Sequence, residues 1–271
     1  MRILLTGATG FVGGHVAAAL AAGNTVISPA RGAGGALPPG VERVPFSEDL
    51  AGLVAAHSPD AVVNLLGIIS GDFDLVHVEY TRRLLAGAAA AGVKKFVQMS
   101  ALGASETSPS AYQRSKAAAE RLVAASGLPY AIARPSLISG TGQKLTGRLA
   151  AAARWTPLLA APAGLRVAPV PAETVAACFR RLTEDPAVSG IYELAGPREM
   201  SMSDYFREAL RGAGVRRLVV PVPRALFLPL LPLFALLPDP PLTLDQYRML
   251  AADNVPSGQF PGVRELLGGT P

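Results

Sequence analysis

The 271-residue chain has one cysteine, three histidines and few charges, and each scarcity excludes something. A lone Cys178 cannot build an internal disulfide framework; it falls in a stretch of helical period, where a buried inert thiol in a reducing, cytoplasmic setting is expected. His15, His57 and His77 are scattered, without the Cys/His/Asp spacing of a metal site, so no metal is expected and each reads as surface or structural. Charged residues make up 17%, and the net charge of +5 comes from dispersed arginines, so no face is marked as a track for a nucleic-acid backbone and no nucleic-acid partner is expected. There is no G-x-S-x-G elbow and no Walker loop, which removes the main supports for a hydrolase or an NTPase. The most apolar stretch, 225–237, is shorter than the roughly 20 residues that span a bilayer, and Pro229 and Pro232 interrupt it. Met1 leads directly into a strand-like segment, with no charged leader or small-residue cleavage site, so export is not expected.

Half of the residues are apolar, enough to bury a large core in one unit or two closely fused ones. Short apolar runs at 3–5, 25–27, 41–44, 61–65, 96–99 and 130–133 alternate with segments of helical period at 11–22, 73–91 and 110–125. That alternation predicts an α/β fold, a doubly wound parallel sheet whose ligand crevice lies beyond the carboxyl ends of the strands. After Arg134-Pro135 prolines become frequent and the alternation loses its regularity. A first domain over 1–135 and a smaller α/β lobe over 136–271 are expected, with elements of the second half returning to the first. The second half offers helices at 173–182, 202–211, 225–237 and 242–251, and a Gly/Pro-rich tail from Pro256 expected to be loosely held.

The segment Thr6-Gly7-Ala8-Thr9-Gly10-Phe11-Val12-Gly13-Gly14 follows an apolar strand and opens a helix, the context a dinucleotide-binding Rossmann loop requires. Gly7 permits the tight turn, Gly10 lets backbone approach a pyrophosphate, and Gly13 lets the helix lie close on the strand. The free N–H groups of the first helical turn then face the phosphates. An acid at the end of the second strand would select NAD(H) through the ribose 2′-hydroxyl; Ser28-Pro29-Ala30-Arg31 offers a hydroxyl and a guanidinium instead. These suit a 2′-phosphate, so NADP(H) is preferred with NAD(H) as the alternative, unless Arg31 is a solvated surface residue.

Tyr112 and Lys116 stand four apart in a segment of helical period and project from one face. Their helix follows the strand ending near Ser100 and starts beside the crevice. There Lys116 could hold a nicotinamide ribose and lower the pKa of the Tyr112 phenol toward neutrality, making it a general acid or base. An exposed Tyr/Lys pair is the bland alternative.

The glycine loop, Asn64-Leu65-Leu66-Gly67, Tyr112-x-x-x-Lys116 and Arg134-Pro135-Ser136 together resemble an extended short-chain dehydrogenase/reductase. Met99-Ser100-Ala101-Leu102-Gly103-Ala104, Gly196-Pro197 and the stretch 244–255, ending Asp253-Asn254-Val255, are similar to the atypical group that includes the 39 kDa accessory subunit of mitochondrial complex I. The resemblance implies catalytic roles for Tyr112, Lys116 and Ser100. It implies cofactor contacts from Gly7, Thr9, Gly10, Phe11, Val12, Gly13, Ser28, Arg31, Phe46, Leu66, Gly67, Ser100, Tyr112, Lys116 and Pro135. Two positions depart from the family: Leu102 stands where the catalytic serine is usual, Ser100 lying slightly early, and Phe46 stands near the place of an adenine-binding aspartate, suggesting apolar contact there.

Two functions follow. One is an NADP(H)-dependent oxidoreductase acting on a carbonyl or alcohol of an unknown small molecule, sugar-nucleotide-like or apolar. The other is a weakly catalytic or non-catalytic protein that keeps its nucleotide for structure or sensing, as the complex I resemblance implies. Residues 219–237 could line a greasy pocket, rest peripherally on a membrane or protein complex, or form ordinary core.

Overall fold

The computed structural model describes residues 1–32, 35–237 and 240–268. Among these the first half runs β1 (Arg2–Thr6), α1 (Phe11–Ala21), β2 (Thr25–Ala30), β3 (Val41–Pro45), α2 (Leu50–His57), β4 (Ala61–Asn64), a π-helical turn (Asp74–Glu79) continuing as α3 (Tyr80–Ala90), β5 (Lys95–Met99), α4 (Ala111–Ala124) and β6 (Tyr130–Pro135). The second half runs β7 (Ile138–Ser139), α5 (Lys144–Ala152), β8 (Leu158–Pro162), β9 (Arg166–Val167), β10 (Val170–Pro171), α6 (Ala172–Glu184), β11 (Gly190–Leu194), β12 (Met200–Ser201), α7 (Met202–Gly212) and β13 (Leu218–Val222). A 3₁₀ segment (Arg224–Leu230), α8 (Leu231–Phe234), α9 (Leu244–Met249) and α10 (Val263–Leu267) complete it.

The central sheet has seven parallel strands in the order β11-β6-β5-β4-β1-β2-β3. Its inner strands are buried on both faces, which is why β1 and β4 read as continuous apolar runs. On one face Ile3, Leu5 and Val63 pack against Val16 and Leu20 of α1 and Val175 and Phe179 of α6. On the other, Leu4, Ile27 and Val62 pack against Leu50 and Val54 of α2 and Tyr80 and Leu84 of α3. The order in which strands are added reverses between β1 and β4, and the crevice opens there, at the carboxyl ends. The second half supplies both a strand, β11, and a helix, α6, to this layer.

A separate core gathers Leu149, Leu159, Val167, Tyr205, Phe206, Leu210 and Val219 around α5, α7 and the parallel ribbon of β8 with β13. Two expectations for this half are corrected. Residues 225–237 do not form one helix: a 3₁₀ segment containing Pro229 gives way to the single turn of α8, because proline removes a donor and crowds the preceding turn. The tail is not loose either. Ser257 donates to the Glu193 carboxylate, Phe260 lies 4.9 Å from the Arg134 guanidinium, Gly262 bridges to Glu193, and Leu266 is buried against α6. The last three residues of that tail lie outside the described residues. No described helix is long and apolar enough to cross a membrane.

Candidate functional site

The glycine loop joins β1 to α1 with little room to spare. Gly7 has φ +79°, and an added Cβ would stand 3.0 Å from the Leu65 backbone. At Gly13 it would stand 2.0 Å from the Gly7 carbonyl oxygen, so only hydrogen lets the helix seat on the loop. No side chain caps α1 and no acid lies in its first turn, which leaves its N-terminal N–H groups for an anion. Thr9 and Gly10 are exposed at the turn, Val12 packs against the core, and the Phe11 ring faces Gly140 and Gly142 of the second half. Beneath the loop Thr6 Oγ1 donates to Asn64 Oδ1 at 2.7 Å, and Asn64 Nδ2 donates to Thr81 Oγ1 and Gln98 Oε1, so a buried polar network ties β1, β4, β5 and α3 together.

At the outer end, beyond β2 and β3, an open cavity of about 610 Å³ is lined by Ala30, Arg31, Gly32, Arg43, Val44, Pro45 and Phe46. The Arg31 guanidinium lies 4.5 Å over the Phe46 ring and donates to Tyr80 Oη at 3.3 Å. Arg31 is exposed but held by a ring and a phenol, unlike a freely solvated arginine. Tyr80 Oη in turn donates to Glu48 at 3.3 Å, and Arg43 donates to the Gly32 and Gly35 carbonyls.

The inner end is drier. Ser110 caps α4, whose first turns present Tyr112 and Lys116. Lys116 is buried; its Nζ donates to the Met99 carbonyl at 3.1 Å, stands 5.9 Å from the centre of the Tyr112 ring, and would lie 3.2 Å from a Cβ at Gly67. The half-buried Tyr112 ring packs edge-on to Phe73 and His77. Burial pushes the Tyr112 phenol up to about 12 and pulls Lys116 down to about 8. This corrects the expectation that Lys116 lowers the phenol's pKa: with Nζ turned to the Met99 carbonyl, desolvation wins. Leu102 is buried with its N–H on the Pro135 carbonyl, and Leu66 half-buried with its N–H on Asn64 Oδ1.

His77, read from sequence as surface or structural, is buried beneath this end. The Ile68 N–H donates to its Nε2 at 3.0 Å, so its proton sits on Nδ1, which donates to Ser115 Oγ at 2.8 Å; that hydroxyl donates to the Tyr112 carbonyl. Burial and the Lys116 charge pull His77 down to about 3, so it is a neutral strut between the loop after β4 and α4. Its position in the π-helical turn, where an extra residue re-aims the side chain, is not visible in the sequence.

Two C-terminal residues complete the site from far along the chain. The Asp245 carboxylate accepts from Ala111 N at 2.6 Å, Ser110 Oγ at 2.8 Å and Tyr112 N at 3.2 Å, anchoring the start of α4. Asn254 accepts from Ser136 Oγ and Leu137 N, holding the turn after β6.

A family model for the NAD-dependent epimerase/dehydratase family matches residues 3–158. The chain belongs to that family. Comparison with curated protein sequences returns no match. Among solved structures, gox2253 aligns over 100% of this chain and 93% of its own at 22% identity, TM-score 0.74. Thermus thermophilus UDP-glucose 4-epimerase, in complex with NAD, covers 82% and 86% at 22% identity, TM-score 0.68. Bordetella bronchiseptica WbmH, in complex with NAD+, covers 82% and 85% at 18% identity, TM-score 0.69. At these identities the likeness is one of fold.

A family dinucleotide fits the crevice on an observation independent of the match. Among the described residues two buried side-chain polar atoms have no partner, Ser28 Oγ on β2 and Ser100 Oγ just past β5. An unsatisfied buried hydroxyl costs on the order of 1–3 kcal/mol. Ser100 follows the carboxyl end of β5 at the inner end of the crevice, where a polar ligand group would satisfy it, and Ser28 lies within β2, two residues before its carboxyl end at the outer one. Among the described residues no group of three or more His, Cys, Asp or Glu is arranged to hold a metal ion.

Proposed function

We propose that this family member is an NADP(H)-dependent oxidoreductase that reduces a carbonyl on an unidentified small molecule. What supports the reading is the buried Lys116 beside the Tyr112 ring, bonded to the Met99 carbonyl next to the unpartnered Ser100 hydroxyl, together with the uncapped N-terminus of α1 after the glycine loop. Bound nicotinamide supplies the hydride. Gly7, Gly10 and Gly13, with Thr9, Phe11 and Val12, hold the pyrophosphate; Arg31 takes the 2′-phosphate while Phe46 and Ser28 border the adenosine; Leu66, Gly67 and Pro135 flank the inner end. Lys116, bonded to the Met99 carbonyl beside the Tyr112 ring, would hold the nicotinamide ribose. Tyr112, protonated at neutral pH, would give its proton to the carbonyl oxygen as that oxygen gains charge from the hydride. A sugar-nucleotide substrate is supported by the epimerase likeness, an apolar one by the exposed leucines of the second half.

Leu102 favours a second reading, in which the nucleotide is kept for structure or sensing, the role that the resemblance to the complex I accessory subunit implies. It is a buried hydrocarbon where a serine would orient the carbonyl. Paired titrations with NADPH and NADH, followed by a carbonyl screen on wild type and Leu102→Ser, separate the two. Tighter NADPH binding with turnover, increased in Leu102→Ser, is expected. Equal binding of both nucleotides sinks the cofactor preference, and tight binding without turnover in either protein transfers the conclusion to the second reading.

A further inference from the structure

Helix α4 carries Tyr112 yet brings no acid of its own to its first turn. The negative charge that complements its N-terminus comes from 133 residues beyond Tyr112, where Asp245 lies in the first turn of α9. Three donors meet on that half-buried carboxylate: the Ala111 N–H at 2.6 Å on Oδ1, and Ser110 Oγ at 2.8 Å and the Tyr112 N–H at 3.2 Å on Oδ2. Ser110 Oγ also accepts from the Gln113 N–H at 3.3 Å, so the free N–H groups of Ala111, Tyr112 and Gln113 are all paired. The N-terminus of α1 is left for an anion, whereas that of α4 is closed by a side chain of the second half.

Asp245 is itself held in place by that half. Thr243 and Gln246 close a capping box at the start of α9, and the Tyr247 ring faces the Arg224 guanidinium at 5.4 Å. Further on, the Asn254 side chain accepts from Ser136 and Leu137, while its backbone bonds to Arg166 and Ala168. The opposite side of Tyr112 is held by the first half. Its carbonyl accepts from Ser115 Oγ at 2.8 Å, Ser115 is bonded to the buried His77, and the His77 and Phe73 rings pack edge-on against the Tyr112 ring.

We propose that Asp245 is a positioning residue for Tyr112: by fixing the start of α4 from the second half of the chain, it sets where the phenol stands. The first turn of a helix frays when its N–H groups lose their partners, and Tyr112 lies within that turn. Lys116 lies one turn further in, buried and bonded to the Met99 carbonyl, so it stays in place when the first turn loosens. Loss of Asp245 should therefore misplace the phenol and leave the nucleotide contacts intact. The inference rests on the oxidoreductase reading for what the phenol does, but not for where it is held.

Asp245→Asn keeps the shape of the side chain but turns one acceptor into a donor facing other donors. The chain has six tyrosines, and in protein labelled with 3-fluorotyrosine the Tyr112 fluorine resonance is the one missing from Tyr112→Phe. In ligand-free Asp245→Asn that resonance should shift or broaden, while that of Tyr205, buried in the second core, stays in place. Where the wild type reduces a carbonyl, kcat should fall about ten- to a hundredfold, with KM and nucleotide affinity within about twofold. Asp49→Ala, which removes the carboxylate cap of α2, should lower stability to urea yet leave the Tyr112 resonance unmoved. An unmoved Tyr112 resonance in Asp245→Asn overturns the proposal. So does an equal Tyr112 shift in Asp49→Ala, or collapse of all the tyrosine resonances to their unfolded positions in Asp245→Asn, since either assigns the residue to general stability. A wild type without turnover counts against the oxidoreductase reading alone, and the Tyr112 resonance then decides the role of Asp245.

Discussion

At the outer end of the crevice Arg31 lies across Phe46 in an open cavity, with Arg43 beside it. At the inner end Lys116, His77 and Ser100 are buried and Tyr112 half-buried, and burial displaces the pKa of Tyr112, Lys116 and His77. The outer end is built for a permanent charge, which a guanidinium keeps even in contact with solvent. The inner end is built for protons, whose movement needs groups that desolvation can tune. Variants at one end should therefore change affinity, and variants at the other should change rate.

The largest effect should erase the distinction. Gly13→Ala puts a methyl 2.0 Å from the Gly7 carbonyl, forcing α1 off the loop on which both ends depend. Nucleotide affinity measured by calorimetry should fall at least about a hundredfold, roughly 3 kcal/mol; unchanged affinity would place the ligand elsewhere. Tyr112→Phe should sharpen the contrast, lowering any reductase rate by about 10²–10⁴-fold while nucleotide affinity stays within about twofold. Equal rates in the two proteins would remove the phenol from the mechanism.

A third test uses pH. His77 is pulled from 6.5 to about 3, so between those values the unfolded chain binds a proton that the folded chain refuses. Stability contributed by this residue is complete above about pH 6.5 and is lost as pH falls toward 3, on the order of 3–5 kcal/mol. Lys116 acts in another window: its pKa is lowered from 10.5 to about 8, so its burial penalty is relieved and stability rises between those values. Urea unfolding across pH should show the acid slope in wild type and a smaller one in His77→Gln; identical slopes would contradict the buried neutral imidazole. The smallest effect belongs to the outer end, where Arg31→Ala should remove about 1–3 kcal/mol of preference for NADPH over NADH and leave the rate with saturating nucleotide unchanged. A fall in that rate would mean the two ends are coupled.

Residues that act through local spacing were legible. The loop from Gly7 to Gly13, the four-residue step from Tyr112 to Lys116 and the alternation of the first six strands all follow from periods of backbone geometry. The strut at His77 was not, because burial and a π-helical turn give a lone histidine its role. Asp245 was not, because its partners at Ser110, Ala111 and Tyr112 lie more than 130 positions away and no local pattern marks a carboxylate that caps someone else's helix. The tail after Pro256 looked unstructured because its order comes from Glu193 and α6, not from its own propensity.

By itself, the sequence determined the doubly wound α/β layer and the place of the glycine loop, since these depend on residue type and short-range periodicity. Tertiary structure decided the rest: that β11 and α6 are the elements that return to the first layer, that burial raises the Tyr112 phenol, and that Asp245 anchors the start of α4. Each of those depends on which distant groups come into contact and on how much water is excluded between them, and neither quantity is a property of any short segment of chain.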